Sequence, residues 1–589
     1  MIWLRHDLRY GALRIAIQIM ERRLQIMAAS PPNHAPQAQI IPSKTHIQKG
    51  NLMSTFSFSL LYPTAELRAV HATAENRPAV SDETAESLGL SELLKLKNSS
   101  LCEYFTADPA VINYRAEIFA DMLAVPEVAE TFIKVLPVLA DIGELRRMSA
   151  ASERTTDEYL LSLSEIELYI SSVEILRDGL SPVRDKLKST SLLSLCDYIK
   201  TIAESEYYTE LNQKLAELTN RVRDIKSITL GINLDATLRA DKCGVLSINP
   251  KPFKSGDTID KILRMSFKSD EYTLIAPLSP FAKGQNDNQK TAMSIAINTA
   301  IGDVFKSSVR SWKKIVQSYV LDNTNFLIEV MPEIEFVICA TRLMETLRER
   351  GLPLCTPTLR PAEENAFAAK GLYNPAVALA ITEASVENDF AFDKDGMIYI
   401  LTGPNRGGKS VITCAIGLAA AFCQLGMLVP AREFTFSPAS GIFTHFPTES
   451  GDTVDKGRLG EECARLNDIF AACDRGAIVL LDESLSSTGA YEASYIAAEV
   501  LLGFAKVGCR TLFSTHLHTL AAKVDELNAD AAAFGGTKMD TLVAKIADDG
   551  TRSFKILRQK PDGKSYARDI AEKYGLSLDK ITETIGRNK

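Results

Sequence analysis

The stretch "LTGPNRGGKS" at residues 401–410 restricts the fold of this chain more than any other part of its 589 residues. Residues 403–410 fit the pattern G-x-x-x-x-G-K-S, in which backbone N–H groups surround a phosphate at the N-terminus of a helix. An apolar run at 397–401 enters the loop, and the helical pattern "SVITCAIGLAAAF" leaves it. The stretch therefore predicts a triphosphate site made by Gly403, Pro404, Asn405, Arg406, Gly407, Gly408, Lys409 and Ser410.

Two other strand-like stretches supply the polar groups that such a site needs. "AIVLLDES" ends in Asp482 and Glu483, and "TLFSTHLHTL" carries an apolar run into Thr515 and His516. Asp482 and the Ser410 hydroxyl are suited to hold Mg²⁺, and Glu483 is suited to polarise an attacking water. Taken alone, His516 is typical of an ordinary loop histidine. Together with the phosphate loop and the acidic strand end, it is suited to sense a γ-phosphate. Together the stretches predict an ATPase that uses ATP and Mg²⁺, with Glu483 and His516 as catalytic residues.

Composition narrows the class of protein but not its partner. Hydrophobic residues make up 46 % and charged residues 24 % of the chain, as in ordinary soluble globular proteins. No apolar run approaches the ~20 residues of a membrane-spanning helix, so we expect no membrane partner. The ten cysteines form no CxxC pair, which favours reduced cysteines in a cytoplasmic protein without zinc. The net charge of −8 does not indicate a nucleic-acid-binding protein. It does not exclude one either, because phosphate binding depends on local patches of charge and not on the sum over the chain.

The chain upstream of the loop is helical in pattern. Residues 101–228 are helical almost throughout, and "ELNQKLAELTNRVRDI" carries a heptad seam. The seam consists of Leu211, Leu215, Leu218, Val222 and Ile225. Its expected partner is an apolar stripe in the helix that begins at Ile295, although an ordinary buried bundle helix would show the same pattern. After the connector "GLPLCTPTLRP", apolar runs alternate with helical patterns, which predicts a mostly parallel α/β sheet.

Between the two long helical patterns lies a segment with a different residue composition. Residues 229–288 combine β-type residues, turn signals and several basic side chains, which predicts a small β insertion at the far end of two antiparallel helices. The candidate DNA-contacting residues are Lys251, Lys254, Lys306 and Arg310. A solvated surface is the alternative interpretation of these residues. The first 52 residues are either an upstream extension before Met53 or a presequence, and we assign them no function.

At these motifs the sequence resembles the MutS family of DNA mismatch-repair ATPases. The resemblance rests on "TGPNRGGKS", on "LLDES" followed by "LSSTGAYEASYIAAEVL", and on "STHLHTL". It continues in "SYARDIAEKYGLSLDKI" near the end and in "FTADPAVINYRAEIFADML" at 105–123, so it covers the chain from about residue 100 onward. It implies a multidomain protein with a helical core, long antiparallel lever helices, a small β-containing clamp and an ABC-type P-loop ATPase domain.

The resemblance also implies domain bounds, and the sequence departs from the family pattern in three ways. The expected parts are an extension (1–52), a connector (53–100), core and outgoing lever (101–228), clamp (229–288), returning lever (289–350), linker (351–370) and ATPase domain (371–589). The connector is too short for a mismatch-reading domain, and little chain follows the ATPase domain. The trans-acting signature loop lacks its serine, and its place is taken by Arg458, Leu459, Gly460 and Glu461.

The function implied by the resemblance is that of a homodimeric DNA clamp. ATP binding and hydrolysis at the dimer interface would control the grip on mismatched or branched double-stranded DNA, in mismatch repair or in recombination control. A cytoplasmic, nucleoid-associated location would follow. The alternative is a nucleotide-gated interaction protein that acts on RNA, the ribosome or a protein partner. A coiled-coil chromosome ATPase is disfavoured, because the seam spans only about four helical turns.

Overall fold

The described residues form a helical part followed by an α/β part. The computed structural model describes residues 58–97, 100–150, 155–223, 227–234, 236–237, 240–249, 322–447, 457–547, 551–561, 574–576 and 578–587. Among these residues, no helix is both long enough and apolar enough to cross a membrane.

The helical part packs around aromatic and aliphatic side chains. Its helices are α1 Ala65–Ala72, α2 Asp82–Ser87, α3 Leu90–Leu94, α4 Pro109–Ala124, α5 Pro126–Ala150, α6 Thr155–Leu180, α7 Thr190–Glu204, α8 Glu206–Arg223 and α9 Asp322–Glu349. Helix α4 starts where Asp108 accepts a hydrogen bond from the N–H of Ala110, with proline in the first turn. In the core, the rings of Tyr104 and Phe336 stack at 4.6 Å, which joins α9 to the start of α4.

Helix α8 carries four of the five residues of the predicted seam, Leu211, Leu215, Leu218 and Val222. Leu211 and Leu215 are buried, and the helix packs against α6 and α7 at this end. Beyond it, strands β1 Ser227–Leu234 and β2 Ala240–Asn249 form an antiparallel hairpin. The remaining part of the predicted β insertion, the helix beginning at Ile295 and the four candidate DNA-contacting residues lie outside the described residues and stay predictions.

Residues 58–97, which the sequence analysis treats as a connector, pack against both parts of the molecule. Glu333 of α9 accepts hydrogen bonds from the backbone N–H groups of Leu60 (2.6 Å) and Leu61 (3.2 Å) and from the Ser59 hydroxyl (2.9 Å). In the middle of the segment, Ala79 forms a parallel β-bridge to Gly441, next to a strand of the α/β part. The segment therefore links α9 to the α/β part directly.

The α/β part contains two sheets. The six-stranded sheet has the order β12-β11-β6-β10-β9-β8 and is parallel except for β12, in agreement with the alternation of strand and helix patterns. Its strands are β6 Ile398–Thr402, β8 Ile442–His445, β9 Ile478–Asp482, β10 Arg510–Ser514, β11 Met539–Ile546 and β12 Arg552–Arg558. In a parallel sheet all strands end at one edge, so the residues after β6, β9 and β10 lie side by side.

The smaller sheet has the order β3-β7-β4-β5 and surrounds an aromatic cluster. Its strands are β3 Thr358–Leu359, β4 Phe367–Leu372, β5 Asn388–Phe392 and β7 Glu433–Phe436. The ring of Phe367 makes edge contacts with four other phenylalanines at 5.0–5.8 Å. Because β3 and most of β4 come from residues 351–370, the stretch that the sequence predicts to be a linker is part of this sheet.

Most of the described helices of the α/β part pack against strands of the large sheet. The helices are α10 Pro375–Ala380, α11 Lys409–Gln424, α12 Gly457–Ala472, α13 Ala490–Val507, α14 His518–Ala522, α15 Val524–Ala533 and α16 Leu578–Arg587, and those from α11 to α15 contact the sheet. Helix α11 is buried on nearly all sides. At Gly417 an added Cβ would lie 2.6 Å from the side chain of Leu88 and 2.7 Å from that of Leu480, so a larger residue would force these leucines to shift.

Candidate nucleotide site

The loop between β6 and α11 has the backbone conformation of a tight anion-binding turn. Gly403 has φ 143°, and an added Cβ there would lie 2.7 Å from the side chain of Ala544. The N–H of Gly407 bonds to the carbonyl of Pro404 (3.1 Å), which closes the turn. The loop thus turns directly into α11, with the exposed Asn405 and Arg406 at its tip. The N–H groups at the start of a helix have no intrahelical partner and attract anions.

Lys409 lies in the first turn of α11 and is buried against the loop. Its Nζ donates hydrogen bonds to the carbonyls of Gly403 (3.2 Å) and Pro404 (3.3 Å). Burial lowers the pKa of Lys409, while the negative charges of Glu483 and Asp482 act in the opposite direction. A buried ammonium next to a ring of backbone N–H groups is suited to bind the oxygens of a polyphosphate.

Asp482 ends β9, and the sheet places it beside the loop. The side chain is buried, and its Oδ1 has no hydrogen-bond partner among the described residues. Ser410 lies on the exposed side of the first turn of α11. A buried carboxylate oxygen without a donor fits a cation as its partner, and Mg²⁺ is commonly held by one or two protein oxygens together with phosphate. Both residues therefore fit the predicted metal ligands.

Glu483 and His516 are in direct contact. Glu483 Oε1 lies 2.6 Å from His516 Nε2, and the two side chains are 38 % and 39 % exposed. The backbone of Glu483 has φ 47°, an unfavourable value for a non-glycine residue, and its N–H is held by the carbonyl of Ser514 (2.8 Å). The N–H of Thr515 bonds to the carbonyl of Leu401 (2.9 Å). The neighbouring strands β6, β10 and β9 thus bring the loop, His516 and Glu483 together.

A cavity of about 490 Å³ is lined by the phosphate loop, by Glu483 and by a group of apolar residues. Its loop and polar lining includes Arg406, Gly407, Gly408, Lys409, Ser410 and Glu483. Its apolar lining comes from residues that the sequence analysis did not identify, among them Tyr373, Val377, Ile381, Val386 and Phe554. Polar loop groups beside apolar side chains suit a ligand that carries phosphates on a flat ring system.

The predicted signature residues form the start of α12. Arg458 is exposed, and Leu459, Gly460 and Glu461 are partly exposed in the first turn of that helix. The residues before them, 448–456, lie outside the described residues. What this turn contacts is therefore still a matter of prediction.

His445, which the sequence analysis did not single out, ends β8 in a buried polar cluster. Ser484 donates its hydroxyl proton to the carbonyl of His445 (3.1 Å), so His445 Nδ1–H donates to the Ser484 oxygen (2.7 Å). His445 Nε2 is buried and has no partner among the described residues. Burial, together with the charge of Arg465, lowers the pKa of His445 to about 4.

This depressed pKa predicts a specific acid sensitivity. The unfolded histidine titrates near pH 6.5, so the stability that His445 contributes is present above that pH and is lost as the pH falls toward about 4. The loss amounts to about 3 kcal/mol at most. We expect His445→Gln to remove this part of the pH dependence when urea unfolding is measured between pH 4 and pH 7. An unchanged slope would contradict the neutral, buried state of His445.

Comparison with known proteins gives two family matches and several relatives. Residues 399–584 match MutS domain V, and residues 107–350 match the MutS2 N-terminal domain. The chain is 30 % identical over 225 residues to the DNA mismatch repair protein MutS of Shouchella clausii, which covers 37 % of this chain and 24 % of that protein. It is 31 % identical over 196 residues to the DNA mismatch repair protein MSH3 of Cryptococcus neoformans, covering 33 % and 16 %.

A third relative carries a different name. The chain is 26 % identical over 256 residues to Endonuclease MutS2 of Staphylococcus aureus, covering 43 % of this chain and 33 % of that protein. The chain thus spans a third or less of the length of each of these relatives.

Proposed function

Because this chain belongs to the MutS family, we propose that it binds and hydrolyses ATP and uses the nucleotide to control its hold on double-stranded DNA. One observation carries the proposal. Three separate stretches of sequence meet at the phosphate loop: Lys409 and Glu483 line one cavity, Asp482 and Glu483 act on the charge of Lys409, and His516 contacts Glu483. The biological role would be mismatch repair or the control of recombination.

The lining of the cavity favours one orientation of ATP. Its base would contact the apolar lining residues, such as Val377, Ile381 and Phe554. Its phosphates would meet the N–H groups of the loop. Lys409 would exchange the carbonyls of Gly403 and Pro404 for β- and γ-phosphate oxygens, which are stronger acceptors because they carry charge.

Hydrolysis would depend on Glu483 and on His516, which holds the Glu483 side chain in place. Glu483 would orient the attacking water and accept its proton. His516, by donating Nε2–H to Glu483, would fix the carboxylate and report the presence of the γ-phosphate. Ser410 and Asp482 would hold Mg²⁺, which offsets phosphate charge when bound.

We propose that a second copy of the chain completes the site. Glu483 and His516 are more than one third exposed, so the γ-phosphate end of the site is open to a partner. The first turn of α12, with Arg458–Glu461, is also exposed or partly exposed, and the N–H groups at the start of a helix attract anions. If this turn of one copy covers the γ-phosphate of the other, ATP would join the two ATPase domains, and the movement would reach DNA through the helical part.

A binding titration tests the coupling to DNA. We expect homoduplex, mismatched or branched DNA to bind with an affinity that changes when ATP is added. That affinity should fall steeply between about 50 and about 200 mM salt, as for phosphate contacts such as those predicted for Lys251, Lys254, Lys306 and Arg310. Lys409→Ala is the control, in which ATP should no longer change the affinity.

Two results would contradict the proposal. If no DNA binds, the assignment of a DNA clamp fails while that of an ATPase stands. If DNA affinity is the same with and without nucleotide, the nucleotide gates contact with another partner, such as RNA or a protein.

A further inference from the structure

The base-facing wall of the cavity is held at two points. The wall consists of residues 373–386, which include helix α10. At its start, Asn374 Oδ1 accepts the N–H groups of Ala376 (2.9 Å) and Val377 (3.2 Å), and Asn374 Nδ2 donates to the carbonyl of Val411 in α11 (3.3 Å). This end of the wall therefore moves with the helix that follows the phosphate loop.

The other end of the wall is held by an arginine from the helical part. Arg350 Nη1 donates to the carbonyls of Ala378 (3.0 Å) and Ile381 (3.3 Å). The last carbonyls of a helix have no intrahelical partner, and a helix as short as α10 is marginal without tertiary contacts. The guanidinium supplies the missing donors at the point where Ile381 lines the cavity.

Arg350 is itself rigidly connected to α9. It directly follows the last residue of that helix, and Gly351, with φ 72°, ends the helix in a left-handed turn. The N–H of Gly351 bonds to the carbonyl of Arg348 (2.9 Å), and the N–H of Leu352 bonds to that of Leu347 (3.0 Å). Leu347 and Met344 are fully buried in the helical part. A displacement of the wall would therefore be transmitted to the end of α9.

We infer that Arg350 is a positioning residue for the base of the nucleotide and links occupation of the base pocket to helix α9. The inference rests on the proposed ATP site and adds the residue through which the base, as distinct from the phosphates, acts on the helical part. Arg350 does not line the cavity, so it acts through the wall and not through contact with the ligand.

Comparing ATP with inorganic tripolyphosphate tests this role, because tripolyphosphate has no base. Dissociation constants are measured by calorimetry with Mg²⁺ for the full-length chain and for Arg350→Ala, Arg350→Lys and Arg348→Ala. We expect Arg350→Ala to weaken ATP about three- to tenfold, as for the loss of one or two hydrogen bonds, and to change tripolyphosphate less than about twofold. Arg350→Lys, which keeps a charged donor, should restore most of the affinity. Arg348, exposed in the last turn of α9, is the control and should have no effect.

Hydrogen exchange adds a readout that a merely structural role would not give. ATP, but not tripolyphosphate, should slow amide exchange in the last turns of α9, and Arg350→Ala should abolish this difference. Equal weakening of both ligands, or unchanged binding of both, would overturn the inference. If the wild-type chain binds neither ligand, the proposed ATP site itself is wrong and the inference fails with it.

Discussion

We expect the Glu483→Gln protein to bind ATP almost as well as the wild type and to hydrolyse it about 10²–10⁴-fold more slowly. Glutamine keeps the shape of the side chain, and its carbonyl oxygen can still accept the hydrogen bond that His516 Nε2 gives at 2.6 Å. It cannot accept a proton from water. The measurement is steady-state phosphate release together with a separate ATP binding titration.

Two further variants show whether the effect is specific. Glu499→Gln, on the exposed face of α13, removes a carboxylate of the same size outside the cavity and should leave the rate unchanged. His516→Ala removes only the group that orients Glu483, so its rate should lie between those of the wild type and Glu483→Gln. Phosphate release by Glu483→Gln at the wild-type rate would exclude Glu483 as the base.

The phosphate loop and its polar partners could be predicted because each depends on local sequence. The apolar run at 397–401 corresponds to β6, which is displaced by one residue, and the helical pattern after it corresponds to α11. Asp482 ends a strand as predicted, and His516 follows another. Since parallel strands end at a common edge, the placement of three strands sufficed to bring Glu483 and His516 close together.

The apolar lining of the cavity could not be predicted from the same patterns. Phe554 reaches the loop from β12, about 150 residues after it, and has φ 54°, a conformation that no sequence pattern of phenylalanine indicates. The pairing of β11 with β12 is irregular between Ala544 and Ile546, so even a correct strand assignment would not show which residues face the cavity. In the sequence, nothing distinguishes Arg350 from other charged residues at the ends of helices.

The contact of residues 58–97 with α9 could not be predicted either, because it depends on the buried carboxylate of Glu333, which is far away in the sequence. Glu333 lies among apolar residues in a helix that also carries exposed charged residues, and the sequence around it does not show which donors its carboxylate meets. Its partners at Ser59, Leu60 and Leu61 are more than 270 residues away. A pattern of apolar spacing finds the buried face of a helix, but it does not find a polar group whose donors come from another segment.

Glu333→Ala should lower the free energy of unfolding by about 3–5 kcal/mol, the range for breaking a buried charged contact by removing one partner. The substitution leaves the N–H groups of Leu60 and Leu61 and the hydroxyl of Ser59 buried without their acceptor. Glu329 is the matched control. It lies one turn earlier in α9 and pairs with Arg68 at 3.0 Å, as Glu333 does at 3.7 Å, but its side chain is 50 % exposed whereas that of Glu333 is 7 % exposed.

Urea unfolding of the two variants separates the ion pair from the buried hydrogen bonds. Glu329→Ala should cost less than about 1 kcal/mol, because a solvent-exposed pair contributes little. Equal losses in both variants would mean that Arg68, and not the three buried donors, holds residues 58–97 against α9. A large loss in Glu333→Ala alone would show that this segment is fixed to the middle of α9. The α/β part would then be joined to α9 there and, through Arg350, just after its C-terminal end.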